Sequence, residues 1–478
     1  MPEPRTWQLT AGSAALGLAL AAVAVTLAGP WDSGQRTAER TRAAAPATGG
    51  TRHAPPPAPA PPRRPAPAPS APGVLTALRP ADPADPAAPS VGSAAGRPAD
   101  LAAVLVPLLA DPGLGPLRTA SVVDTATGKQ LYGEGATTPM TPASTVKIAT
   151  AAAALSALGP DHRIATTVTA APDGKTVTLT GGGDPTLDAN RLKALATATA
   201  RALKARGHTP VRLAYDTSLY TGPAVHPIGP NENIAPVTAL MTRAGRLDDS
   251  PSGPAPRDAD PARATATAFA ALLTRAGVPV TGDPAPGPTP KAAPLARTHS
   301  APLADLVERT LTHSDNDLAE ALARQTALAH QLPASFDGAG KAVRAELARL
   351  GLPVAGTRFA DGSGLDRNDR VSAALLTALL TRAADPARPA LRPLLTGLPV
   401  GGFTGTLADR FDTAPAGAGL VRAKTGTLTG VNTLAGTVAT PDGRLLAFAF
   451  LAGRTPSPYQ AQPALDRLSA ALAGQDLP

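Results

Sequence analysis

The chain has 478 residues, of which 43% are hydrophobic but only 3% aromatic, with 55 prolines, 45 glycines and no cysteine. The missing thiols exclude a disulfide framework, a thiolate zinc site and a cysteine nucleophile, and the scarcity of large rings favours a core of Ala, Leu and Val built by helices packed on a sheet. The formal net charge of +8 comes almost wholly from arginine, and at 17% charged residues overall it gives no ground for binding nucleic acid.

Apolar residues and prolines are segregated along the chain. Residues 9–28 carry no charge, follow Arg5 and end at Gly29-Pro30-Trp31. About 20 apolar residues match the thickness of a bilayer. Residues 1–29 are therefore expected to be a membrane anchor or, with Thr26-Leu27-Ala28 as a small-residue cleavage site, a signal segment. Either way the rest of the chain is expected in the extracytoplasmic cell envelope, membrane-anchored or secreted. Residues 30–98, marked by Pro55-Pro56-Pro57 and Arg63-Arg64-Pro65, read as an Ala/Pro/Arg-rich disordered linker.

Folded character begins near residue 99. Apolar spacing predicts a helix over 101–109. Two hairpins follow, 120–124 with 130–132 around Ala126-Thr127-Gly128, and 164–170 with 176–180 around Asp173-Gly174. Between them an Ala-rich helix is predicted over 144–158, preceded by Pro142 and stopped by Gly159-Pro160. Further helices are predicted at 187–206, 263–276, 303–312, 315–329, 341–350 and 372–383. Strands are predicted at 420–424, 431–439 and 445–451, the last two joined at Pro441-Asp442-Gly443, before a closing helix over 462–473. This order implies an α/β body with an antiparallel sheet flanked by helices.

Three short motifs carry chemistry. Ser144-Thr145-Val146-Lys147 places a hydroxyl at a helix start and an amine one turn later on the same face. Serine reacts only when a base takes its proton, and lysine can be that base only if burial or a second cation lowers its pKa. Lys424-Thr425-Gly426, on a predicted strand, offers such a cation, and Ser314-Asp315-Asn316 adds a second hydroxyl and an amide at another helix start. Taken singly, Ser144 and Ser314 read as helix N-caps. His313 reads as a bystander, since neighbours on a helix point apart. Asp361 stands in the first position of Asp361-Gly362-Ser363-Gly364, so this is no nucleophile elbow but a tight turn beside the cleft.

Together, and in this order, S-x-x-K, S-D-N and K-T-G are the signature of serine penicillin-binding proteins and β-lactamases. Over about residues 101–470 the sequence resembles the D-alanyl-D-alanine carboxypeptidase/endopeptidase family, the type-4 group of low-molecular-mass penicillin-binding proteins. Gly181-Gly182-Gly183-Asp184-Pro185-Thr186-Leu187, Asp216-Thr217-Ser218, the segment Asp361 to Leu365, and Thr427-Leu428 after the K-T-G triplet extend the likeness.

The resemblance implies a penicillin-binding/serine β-lactamase-like domain (99–160 and 301–478), with a shortened subdomain (161–300) inserted between the first two motifs. It implies a serine-type peptidase acting on peptidoglycan stem peptides through an acyl-enzyme, with β-lactams as covalent inhibitors and no metal or organic cofactor. In that family's terms Ser144 is the nucleophile, Lys147 the base, Ser314 a proton relay and Asn316 a holder of substrate and base. Lys424, Thr425, Gly426 and Thr427 bind the terminal carboxylate, and the N–H groups of Ser144 and Thr427 form the oxyanion hole. About 170 residues separate Ser144 from Ser314, far more than in class A β-lactamases. A β-lactamase or esterase on the same scaffold, or a non-catalytic wall-binding protein, are the alternatives.

Overall fold

The computed structural model describes residues 101–474. The apolar run 9–28 and the linker 30–98 lie outside the described residues. Among those described, no helix is long and apolar enough to cross a membrane.

The elements follow in chain order as α1 (Leu101–Leu109), β1 (Leu117–Asp124), β2 (Gln130–Glu134), α2 (Val146–Leu158), β3 (Ala165–Ala170), β4 (Thr176–Thr180) and α3 (Ala189–Ala205). Next come β5 (Arg212–Asp216), α4 (Pro261–Arg275), β6 (Ala285–Pro286), β7 (Ala296–His299), α5 (Leu303–His313), α6 (Asn316–Ala329) and α7 (Phe336–Arg349). The chain ends with α8 (Ala373–Ala384), the single turn α9 (Pro393–Thr396), β8 (Val421–Leu428), β9 (Val431–Ala439), β10 (Leu445–Gly453) and α10 (Pro458–Ala473).

Two helices begin a full turn or more before the start their sequence pattern suggests. In α7 the glycines at 338 and 340 weaken the helical signal, but Ser335 caps the earlier start by accepting from Gly338 N. In α10, Pro463 suggests a boundary near residue 462. The helix instead starts at Pro458, whose absent N–H is harmless at the first position, behind the Ser457 cap.

The first sheet runs β2-β1-β10-β9-β8 and is antiparallel throughout. Its two faces are chemically distinct because side chains alternate along a strand. Ala447, Ala449 and Leu451 of β10, with Ala435 of β9, face a helical layer that includes α2, α5 and α8. Leu446, Phe448 and Phe450 face the opposite layer, formed by α1 and α10. α8 lies directly on this face, against β1, β9 and β10, while the Ala149 to Ala154 run of α2 lets α6 and α7 approach it closely without aromatic filling. This is the structural counterpart of the low aromatic content.

The second sheet, β6-β5-β4-β3-β7, is mixed. β3 pairs antiparallel with β4 and β7, whereas β4/β5 and β5/β6 are parallel. Parallel neighbours need long crossovers, and α3 and α4 supply them, packing on the sheet through Leu195, Leu203, Phe269 and Leu273. The sequence pattern revealed the β3/β4 hairpin but not β5, β6 or β7, which are short and partly exposed.

Candidate active site

Ser144 does not cap α2. It sits within a one-turn 3-10 helix, Ala143–Thr145, that leads into α2. Ala143 adopts φ +48°, a left-handed conformation costly for a residue with a Cβ. Two hydroxyls hold this corner: Thr145 Oγ1 and Thr433 Oγ1 of β9 each donate to Pro142 O at 2.7 Å. No side chain caps α2, so its N-terminal dipole is directed at the corner carrying Ser144.

Lys147 lies one turn further along and is fully buried. Its Nζ is 2.9 Å from Ser144 Oγ, 2.7 Å from Asn316 Oδ1 and 2.5 Å from Ser363 O. These partners define what the amine can do. Asn316 Oδ1 and Ser363 O only accept, so they take both hydrogens of a neutral amine and leave its lone pair facing the Ser144 hydroxyl. Burial pulls the Lys147 pKa down to about 8, against the opposing charges of Asp361, Glu320, Asp315 and Asp369. A base is active only when neutral, so acylation should rise as pH increases through about 8. Rates of penicillin acylation measured from about pH 6 to 10 will check this. A flat or falling profile contradicts it.

The Asn316 amide has one orientation available. Its Nδ2 donates to Asn233 O at 3.0 Å, which turns Oδ1 toward Lys147. Ser314 is not an N-cap either. It takes φ +56° between α5 and α6, while Asp315 caps α6 by accepting from Leu318 N at 3.0 Å. This left-handed residue breaks the helical geometry, so His313, read from sequence as a bystander, lines the same cavity as Ser314.

The third motif lies on β8, the edge strand beside β9. Ala423 N donates to Pro399 O on the outer side of this strand. By alternation the N–H groups of Thr425 and Thr427 point to that outer side too. Thr427 lines the cavity, and Thr425 Oγ1 donates to Thr406 Oγ1 at 2.8 Å. At Gly426 a Cβ would lie 2.1 Å from Thr433 Oγ1 and 2.7 Å from Pro142 O, so only glycine lets β8 approach the Ser144 corner.

Lys424 lies deeper than Thr425 and Thr427. It is fully buried and donates to Thr425 O at 2.9 Å. The reason is alternation: its side chain shares the strand face of Gly426, which is covered by the Pro142–Ala143 corner. Burial, followed by the Lys147 charge, pushes its pKa well below the usual lysine range.

Ser144, Ser314, Asn316 and Thr427 share a cavity of about 240 Å³. Sequence reading missed the other walls, Asn233, Arg246, the segment 252–254 and Arg257, which the chain between the first two motifs contributes. The segment 361–364, read from sequence as a tight turn beside the cleft, also packs against the serine corner. There Gly364 has φ +85°, and a Cβ on it would stand 2.0 Å from Ala143 O and 3.0 Å from Ser144 N. Gly364→Ala is therefore expected to displace the serine corner, lowering Tm and slowing acylation by about 10- to 100-fold. Unchanged acylation kinetics would show that the corner tolerates the methyl group.

The chain is similar to known proteins in sequence and in fold. The D-Ala-D-Ala carboxypeptidase 3 (S13) family profile matches residues 101–250 and 247–472. The carboxypeptidase DacB of Mycolicibacterium smegmatis is 38% identical over 396 residues, covering 78% of this chain and 83% of its own. The D-alanyl-D-alanine carboxypeptidase of Actinomadura sp. is 31% identical over 457 residues, covering 78% and 84%. The crystal structure of penicillin binding protein 4 from Haemophilus influenzae superposes with a TM-score of 0.65 at 22% identity, covering 77% of this chain and 98% of that one, and shares the fold.

Proposed function

The chain belongs to the D-Ala-D-Ala carboxypeptidase 3 (S13) family, and from that premise we propose that Ser144 is the nucleophile that cleaves the D-Ala-D-Ala bond of peptidoglycan stem peptides. The observation that carries this reading is the buried Lys147 amine, held by two acceptors so that its lone pair faces Ser144 Oγ at 2.9 Å.

Ser144 Oγ attacks the carbonyl carbon of the penultimate D-alanine while its proton passes to Lys147 Nζ. The N–H groups of Ser144 and Thr427 receive the developing oxyanion. The C–N bond then breaks, the proton moves through Ser314 to the departing amine of the terminal D-alanine, and Ser144 is left as an ester. Water, activated at the same base, hydrolyses the ester and restores the hydroxyl. Asn316 orients Lys147 throughout. These steps need neither a metal nor an organic cofactor.

The terminal carboxylate sits against the Thr425 and Thr427 hydroxyls, with Gly426 allowing the close approach. Lys424 supplies field from behind the strand. β-Lactams enter the same path, but ring opening leaves their amine tethered to the acyl group, so it blocks the site. Cross-link cleavage uses the same acyl-donor chemistry on a different leaving amine. Residues 9–28 serve as the anchor or signal that brings the enzyme to the wall, and residues 161–300 form an insertion in the catalytic domain of 99–160 and 301–478.

Digestion of isolated wall fragments tests the reading. Free D-alanine from pentapeptide stems is expected, with split cross-links as the endopeptidase product. Absence of both overturns it. Lys424→Ala is expected to slow D-alanine release by about 100-fold, the scale of a lost electrostatic group in such a site. A wild-type rate in that variant would remove Lys424 from the machinery.

A further inference from the structure

Glu320 lies one turn beyond Asn316 on α6 and is fully buried among Ala319, Ala321 and Leu322. Residues four apart share a helix face, so Asn316 and Glu320 address the same neighbourhood. Glu320 Oε1 accepts from Gly362 N at 2.9 Å and Ser363 N at 3.0 Å, and Oε2 accepts from Arg324 Nη1 at 3.3 Å. Ser363 is thus held by Glu320 through its N–H and holds Lys147 through its carbonyl, at 2.5 Å.

The opposite side of the turn is braced as well. Asp361 Oδ1 accepts from Ser363 N at 3.0 Å and Gly364 N at 2.6 Å. Its Oδ2 accepts from Asp366 N at 2.7 Å and pairs with His226 Nε2 at 2.9 Å. Ile228 N donates to His226 Nδ1 at 3.3 Å, which leaves the ring proton on Nε2, facing Asp361. His226 comes from the segment between the first two motifs and packs edge-on against Phe336, with ring centroids 5.2 Å apart.

We propose that Glu320 is a positioning residue for Lys147, acting through the 361–364 turn, and that His226 braces the far side of the same turn. A buried carboxylate is costly unless paired. Here it fixes one of the two acceptors that aim the lone pair of Lys147, and places a negative charge near an amine that must release its proton. The charged groups acting on Lys147 are Asp361, Glu320, Asp315 and Asp369, and Lys147 in turn lowers the pKa of Lys424 on β8. Removing one negative member should make Lys147 easier to deprotonate.

This inference rests on the assignment of Lys147 as base, so the wild-type enzyme is the first control: absence of penicillin labelling there refutes that assignment, not this one. Glu320→Gln keeps an acceptor for the two N–H groups but lacks the charge. The midpoint of its acylation–pH profile is expected about half a unit or more below that of the wild type. An unchanged midpoint overturns the electrostatic role. If that variant does not fold, the His226 pair decides. His226→Ala is expected to lower the limiting acylation rate about tenfold at unchanged non-covalent affinity for penicillin, and His226→Gln, which still donates to Asp361, to recover most of it. A wild-type limiting rate in His226→Ala, or an equal loss in both variants, overturns the bracing.

Discussion

Lys147→Ala is expected to lower the rate of acylation by penicillin, and of D-alanine release, by about 100- to 10,000-fold, the span of a lost general base. The amine is the only group within hydrogen-bonding distance of Ser144 Oγ through its side chain among the described contacts. A water entering the vacated space would meet the same Asn316 Oδ1 and Ser363 O acceptors, but it is a far weaker base than an amine. The loss should fall on the covalent step and leave non-covalent affinity nearly unchanged, since the cavity walls do not include Lys147. Stability should not fall in parallel. Alanine removes a charge whose burial works against its protonated form, although the vacated space offsets part of that gain. Stopped-flow acylation and thermal unfolding of the same variant separate the two effects. Wild-type acylation would refute the role of base.

How much of this site is legible in the sequence depends on the kind of group involved. Ser144, Lys147, Ser314, Asn316 and Lys424 are visible because each motif is local: a hydroxyl and an amine at i and i+3, or a lysine next to a glycine on a strand. Their convergence needed the resemblance. The two acceptors that complete the site were not equally visible. Ser363 O and Asn233 O are backbone carbonyls, and any residue type supplies one. Glu320 was discoverable as an acid within the apolar stretch 318–323, four residues after Asn316, but its partners are the N–H groups of a turn 42 and 43 residues away.

Backbone conformation was the least legible feature. Serine before a helix is usually an N-cap, a reading set aside for Ser144 and Ser314 once the three motifs were taken together. Both corners instead involve left-handed residues, Ala143 and Ser314 itself, and conformations of that kind are imposed by tertiary packing. Lys424 was visible in the sequence as a cation on a strand, but its depth was not. Strand alternation and the close approach at Gly426 turn it inward. In the fold, the antiparallel sheet was legible because β9 and β10 are long apolar strands joined by a clear turn. The parallel pairs β4/β5 and β5/β6 were not, since β5 has five residues and β6 only two.

Identification of the residue that carries the acyl group tests the account most directly. Wild-type protein treated with a fluorescent penicillin, digested and mapped by mass spectrometry should carry the adduct on the peptide containing Ser144, and Ser144→Ala should carry none. The Ser144 hydroxyl is the only side-chain hydroxyl hydrogen-bonded to the Lys147 amine among the described residues, and a hydroxyl needs such a base to form the ester. Ser314 and Ser363 serve as internal controls: the first shares the cavity, and the second is fully buried with its hydroxyl donated to Asp361. Adduct confined to Ser144 and lost in Ser144→Ala is the predicted result. Equal labelling of Ser144→Ala, or an adduct mapped to another residue, would contradict it.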